Sequence, residues 1–172
     1  MAIFKIADPG SNPYAEEYIA DKIAYILRPK AILSGYWGGY GFVKGNIHEV
    51  TEQFYIVRNS YHKSNYIPLR HFILSFDPYW EYNITPFQAY HIAKWICKIF
   101  AEAQYQVIFS VHEDKNHLHI HILVNTVNLT NGMLYNSDQR NFYIIRNHID
   151  FVLHSYRLWY GKHPLTLYHH SP

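Results

Sequence analysis

Val111-His112-Glu113-Asp114-Lys115-Asn116-His117-Leu118-His119-Ile120-His121-Ile122-Leu123-Val124-Asn125 places four histidines and two acids within ten residues and then runs into an apolar segment. The alternation matters more than the count. His117, His119 and His121 lie two apart, so a strand points them to one face, while Ile120, Ile122 and Val124 face the opposite way, into a core. His112 precedes the turn-like run Glu113-Asp114-Lys115-Asn116. A short hairpin there returns it beside His119 and His121, and three converging imidazoles make a metal site on a sheet face.

A lone strand histidine is ordinarily half-buried or solvated. Three on one face, with a fourth returned by a turn, point to metal or phosphate handling. An all-histidine set suits zinc as well as manganese, so ligand type alone does not choose the ion. The chain has one cysteine, Cys97, which excludes cysteine-based structural zinc spacings and an intramolecular disulfide. The helical His-Glu-x-x-His protease pattern is absent.

Around this stretch, 172 residues with 49% apolar and 16% charged content suit one folded domain with a substantial core. Aromatic content of 18%, with 17 tyrosines, suits core filling or base stacking. A formal charge of +2 requires any nucleic-acid site to be a local patch. The N-terminus carries no signal-peptide pattern and no apolar run is long enough to span a membrane, so membrane insertion is not expected and the cytoplasm is the default compartment.

Ala2–Ala7 predicts a strand, closed by a breaker cluster from Asp8 to Pro13. A helix is expected from about Tyr14 to Leu27, burying Ile19, Ile23, Ile26 and Leu27. Gly35 to Gly45 predicts a long aromatic loop. Asn46 caps a helix to about Asn59 that buries Val50, Phe54 and Val57 or their neighbours. Ile67–Phe76 predicts a strand. Thr85-Pro86 opens a helix to about Ala103. Gln104–His112 and Leu118–Val127 form the histidine hairpin, Asn131-Gly132 a turn, and Asp138–Tyr160 a helix with Phe142, Ile145, Ile149, Val152 and Tyr156 inward. After Gly161 the tail has turn character. The order β-α-α-β-α-β-β-α predicts an α+β fold: a mostly antiparallel central sheet with helices packed mainly on one face, the free face carrying the histidines.

His112-x-Asp114, His119-x-His121 and Asn125 resemble the third motif of conjugative relaxases of the MobA/VirD2 type, the mobilization nucleases of the HUH endonuclease class. Arg70-His71-Phe72-Ile73-Leu74-Ser75-Phe76-Asp77-Pro78 resembles the second motif, a strand ending in Ser-Phe. Ala24-Tyr25-Ile26-Leu27-Arg28-Pro29-Lys30 resembles the first, which carries a helical tyrosine nucleophile. The three occur in the family's order across roughly residues 15 to 160. The first departs from the pattern by lacking an acid before the lysine that follows proline.

The resemblance implies a single relaxase domain, HUH-like in fold, that cleaves single-stranded DNA at an origin of transfer through a 5′-phosphotyrosine. Tyr25 would be the nucleophile, and Tyr18, one heptad earlier, its alternative. By helical angle Tyr25 points away from the apolar stripe. His112, His119 and His121 would hold a divalent ion, manganese or magnesium by resemblance, with zinc or nickel accepted by the same ligands. Asp114 would orient an imidazole or help deprotonate the tyrosine. Ser75, Arg70, His71, Asn125, His117 and Lys30 are candidate DNA contacts. Ser75 equally suits a turn cap, His117 a solvated turn edge, and Arg70 and His71 pairing on the sheet. Lys44 and Arg58 are further candidate backbone contacts, and the segment Tyr36 to Tyr40 suits stacking on bases or a plain connection. Accessory relaxosome proteins and a coupling protein are the implied partners, in a bacterial cytoplasm. Alternatives are a rolling-circle initiator or transposase of the same class, a non-catalytic single-strand DNA-binding module, and a hydrolase of small phosphoesters.

Overall fold

The computed structural model describes residues 2–10, 12–29, 32–77, 84–114 and 117–159, the side chains of 32–34 and 157–159 excepted. Lys30 and the tail after Gly161 fall outside those residues. Nine elements follow in order: β1 (Ala2–Ile6), α1 (Tyr18–Ile26), β2 (Ile32–Tyr40), α2 (Ile47–Ser60), β3 (Leu69–Phe76), α3 (Pro86–Glu102), β4 (Tyr105–His112), β5 (His119–Asn128) and α4 (Gln139–Trp159). The strands form one antiparallel sheet in the order β1-β3-β5-β4-β2. The α+β class and antiparallel sheet expected from the sequence are present.

Alternation along the central strands builds two cores. Phe72, Leu74, Val107, Phe109, Val111, Ile120, Ile122 and Val124 face α3 and α4, the two longest helices, in the larger core. Each large apolar side chain buried there contributes about 1.5–3 kcal/mol. On the opposite face Leu69, Ile108 and Leu123 pack beneath α1 and α2. The histidine face is therefore covered at its apolar end by two shorter helices and left for chemistry only at its histidine end. The C-terminal end of α1, with Tyr25 and Ile26, comes to rest on the histidines.

The helix starts follow local chemistry. Asn46 accepts from the Glu49 amide while the Glu49 carboxylate accepts from the Asn46 amide, and Thr85 and Gln88 repeat this capping box ahead of Pro86. The first helix begins at Tyr18, later than expected, and its N-cap Glu17 makes no side-chain capping bond. The turn at Asn131-Gly132 holds Gly132 at φ 68°.

Three expectations need correction. The Gly/Tyr/Trp stretch is largely strand β2, not loop. Gly38 and Gly39 occupy it because a Cβ on Gly38 would stand 3.2 Å from the Phe109 ring and one on Gly39 would meet the Val107 carbonyl. On α2 it is Arg58 rather than Val57 that is buried. Its guanidinium donates to the carbonyls of Lys63 (2.6 Å) and Tyr66 (2.8 Å) and to Thr126 Oγ1 (3.3 Å), so it ties loops together instead of facing a ligand. Tyr18, expected on the exposed face beside Tyr25, is 6% exposed and packs in the second core.

Candidate metal centre

Register brings the three histidines together. His112 on β4 pairs directly with His119 on β5, and His121 follows two residues on, opposite Ser110 and Ile73. Their ring centroids are 4.4–5.3 Å apart, all three are buried, and one nitrogen from each lies within 4.8 Å of the others.

The other nitrogen of each ring has a partner behind it. His112 Nε2 donates to the Ile26 carbonyl at 2.7 Å and lies 3.1 Å from Ser110 Oγ. Ile26 closes α1, where carbonyls lack helical donors, so this bond satisfies both groups and docks the helix end on the sheet. His119 Nδ1 donates to the His117 carbonyl at 3.3 Å. His121 Nδ1 lies 2.8 Å from His71 Nε2. These bonds place protons on the outer nitrogens of His112 and His119 and leave lone pairs inward. The inward atoms His112 Nδ1 and His121 Nε2 are buried without hydrogen-bond partners. Buried polar atoms are rarely left so, and a cation is what such a set of lone pairs accepts. The residues fit a divalent ion held by nitrogen donors.

Electrostatics agree with that fit. Burial is the main cause that lowers His119 and His71 to about 4 and His121 to about 2, with neighbouring histidines adding to it. Burial likewise lowers His112 against an upward pull from its bond to Ile26. Neutral rings at pH 7 keep their lone pairs available.

Asp114 lies in front of this set. Its Oδ1 stands 3.4 Å from His119 Nε2 and 4.0 Å from His112 Nδ1, both inward atoms, and Oδ2 is bonded to Arg28. Partial burial raises its pKa, but the bond and charge of Arg28 outweigh this and hold it below the usual carboxylate value. Ile26, His117 and His71 support the rings from behind, while Asp114 meets them on the inward side.

Tyr25 stands beside the histidines, 44% exposed. Its ring centroid is 5.5 Å from that of His121 and 6.5 Å from those of His112 and His71. The Arg28 guanidinium covers the ring at 4.2 Å. Arg28, two residues past the end of α1, thus links the tyrosine to Asp114, a role the sequence reading missed. Lys22 and Lys5 act on His71 electrostatically and add positive charge to this face.

A family model for the nuclease domain of MobA/VirD2-like relaxases matches residues 25–158, most of the 172. The chain belongs to this relaxase family. It is 34% identical over 73 residues to the group II intron-interrupted relaxase LtrB of Lactococcus lactis, covering 42% of this chain and 13% of that protein. It is 37% identical over 87 residues to protein rlx of Staphylococcus aureus, covering 49% and 26%. The matched segments thus span about a quarter or less of those relatives' lengths. A solved structure described as "Molecular Basis of Vancomycin Resistance Transfer in Staphylococcus aureus" superposes with a TM-score of 0.66 at 11% identity, covering all of this chain and 98% of that one, a likeness of fold.

The relaxase domain distributes the remaining candidate residues unevenly. Ser75 pairs with His119 on the histidine face, partly exposed. His117 sits half-buried at the hairpin end, ring centroid 5.6 Å from His119. His71 is buried behind His121. Arg70 alternates to the other face and donates to Ser137 Oγ at 2.5 Å. Asn125 is fully buried, donating to the Phe54 carbonyl (3.1 Å) and to Gln106 Oε1 (2.8 Å), which ties α2 to the sheet. Among the described residues no helix is long and apolar enough to cross a membrane.

Proposed function

We propose that this relaxase domain nicks one strand of DNA at an origin of transfer, with Tyr25 as nucleophile and His112, His119 and His121 as ligands of a divalent ion. The observation that carries this is the partly exposed Tyr25 standing against three inward-facing neutral imidazoles. A cavity of about 910 Å³ lies between α1 and α2, includes none of these histidines and has Glu16, Glu17, Asp21 and Glu52 in its lining. A centre apart from that cavity, with the partly exposed Tyr25 at its edge, suits a polymer better than a small phosphoester.

The Tyr25 hydroxyl oxygen attacks the scissile phosphorus and the bond to the 3′ oxygen breaks. A 5′-phosphotyrosine and a free 3′-hydroxyl result, and the reverse attack rejoins the strand. Manganese or magnesium in the histidine set would offset the charge that builds on the phosphate. Arg28 sets a positive charge over the Tyr25 ring. Asp114, held below the usual carboxylate value, is a weak base. Its role is to fix Arg28 over Tyr25 and to set a negative charge against the inward nitrogens. The phenolic proton leaves to water at the exposed hydroxyl. Ser75 and His117 flank the centre on the substrate side, and Lys5 and Lys22 attract the phosphate backbone. The domain works in the cytoplasm with accessory relaxosome proteins and a coupling protein.

The test is a randomised single-stranded DNA pool, labelled at the 3′ end, incubated with manganese and run on a denaturing gel. Unmutated protein becomes labelled, because the 3′ fragment stays attached. Tyr25→Phe abolishes the label and His119→Ala strongly reduces it. A label that persists in Tyr25→Phe moves the nucleophile elsewhere, and retention of DNA without any covalent label favours a non-catalytic binding module.

A further inference from the structure

The aromatic strand β2 lines a second feature that strand transfer at Tyr25 does not use. A cavity of about 280 Å³ opens at the sheet's outer edge, between β2 and α3. Gly38 and Gly39 form part of its lining, Trp37 and Tyr90 bring aromatic groups to it, and Lys44 and Lys94 contribute the charge. Lys44 Nζ lies 4.1 Å from the Trp37 ring centroid and donates to the Trp37 carbonyl at 3.2 Å, and Lys94 Nζ lies 5.8 Å from the Tyr90 ring centroid. No acidic residue lines the cavity, and among the described residues neither lysine is paired with a carboxylate. A methyl group on Gly38 would enter the space between Phe109 and the Tyr90 hydroxyl.

A slot with aromatic groups, bare backbone and two exposed cations matches a nucleotide, which offers a flat apolar base beside phosphate charge. Its position matches too. Trp37 pairs with Ser110, two residues before His112 on β4, so Trp37 lies on the histidine face about 7 Å along the strand from the histidine cluster, and the bare backbone of Gly38 and Gly39 at the sheet edge joins it to Tyr90 and Lys94 on the α3 face. We propose that this cavity is a specificity pocket that takes one unpaired base of the bound strand, with Lys44 and Lys94 on the adjoining phosphates. The inference rests on the DNA-nicking reading and extends it from the reacting phosphate to a base that selects the site.

Repeated selection of a randomised single-stranded DNA pool on the full chain, followed by sequencing, tests this directly. Unmutated protein recovers a sequence motif. In Tyr90→Leu one position of that motif loses its base preference while the others keep theirs, and affinity for the selected oligonucleotide falls about 5- to 100-fold, the worth of one base stack. Tyr90→Phe restores the preference. Lys44→Ala and Lys94→Ala weaken all sequences alike and each lowers the slope of log affinity against log salt by about 0.7, one phosphate contact on a single strand. A motif and affinity unchanged in Tyr90→Leu overturn the pocket. Should that variant fail to fold, an unchanged salt slope in Lys94→Ala, a change on the exposed side of α3, overturns it as well. Failure of unmutated protein to retain single-stranded DNA would instead remove the nicking reading and this inference with it.

Discussion

At the scale of single residues, the difference between a ligand and its support is which ring nitrogen is occupied. His71 Nε2 meets His121 Nδ1 and so leaves His121 Nε2 to the centre. Removing it in His71→Ala frees the His121 ring and is expected to lower manganese affinity about 10- to 100-fold, as for other groups that orient a ligand from behind. Isothermal titration calorimetry checks this, and an unchanged affinity would leave His71 with a packing role only. Arg28→Ala is expected to leave manganese affinity within a few-fold of normal while slowing formation of the DNA-linked product, measured by gel time courses. The exposure of Tyr25 was legible from helical angle, although the same angle misplaced Tyr18, which is buried. His71 was not legible as a positioning group. Strand alternation shows its face, but only the offset between β3 and β5 shows that it reaches an imidazole rather than solvent.

At the scale of elements, β2 is held by close backbone approach. Gly39→Ala would press a methyl group on the Val107 carbonyl and the Phe42 ring. The expected outcome is a loss of 1–3 kcal/mol, roughly the cost of overpacking, read by urea denaturation, with hydrogen exchange of β2 amides rising ahead of β5. Asn46→Ala removes a capping box that α2 uses and should cost about 1 kcal/mol. Caps of this kind are local and can be read directly, as Asn46 and Thr85 were. The strand β2 is the opposite case. Gly, Trp and Tyr in a row look like a loop, and the space that forbids side chains at Gly38 and Gly39 belongs to β4 and to Phe42.

At the scale of the whole molecule, a cluster of buried neutral histidines makes stability depend on pH. His71 and His119 sit at about 4 and His121 at about 2 when folded, against an ordinary 6.5. Above that ordinary value both states hold these rings neutral and the contribution is fully present. Below it the unfolded chain takes up protons that the folded chain refuses until pH falls through 4 and lower, so stability declines across that window. Urea midpoints in the presence of a chelator are therefore expected to be lower at pH 5 than at pH 7, and equal midpoints would contradict the burial of neutral rings. Manganese added at pH 7 should raise the melting temperature in proportion to its occupancy of the folded state. His119→Ala should lose most of that rise.

Short-range periodicity made several things legible: the histidine hairpin, most of the inward stripes of the helices, two capped helix starts, the antiparallel α+β class and the grouping of His112, His119 and His121 on one sheet face. Alternation of two and 3.6 residues is written locally, and burial enforces it wherever the chain folds. Which side chains meet across long separations follows from tertiary packing. Ile26 receives the proton of His112, Arg28 bridges Tyr25 and Asp114, Arg58 and Asn125 turn inward as ties, and Tyr18 is buried while Tyr25 is left at the centre. These outcomes depend on where α1 and α2 come to rest on the sheet, which is set by packing against Leu69, Ile108 and Leu123 and by no local pattern.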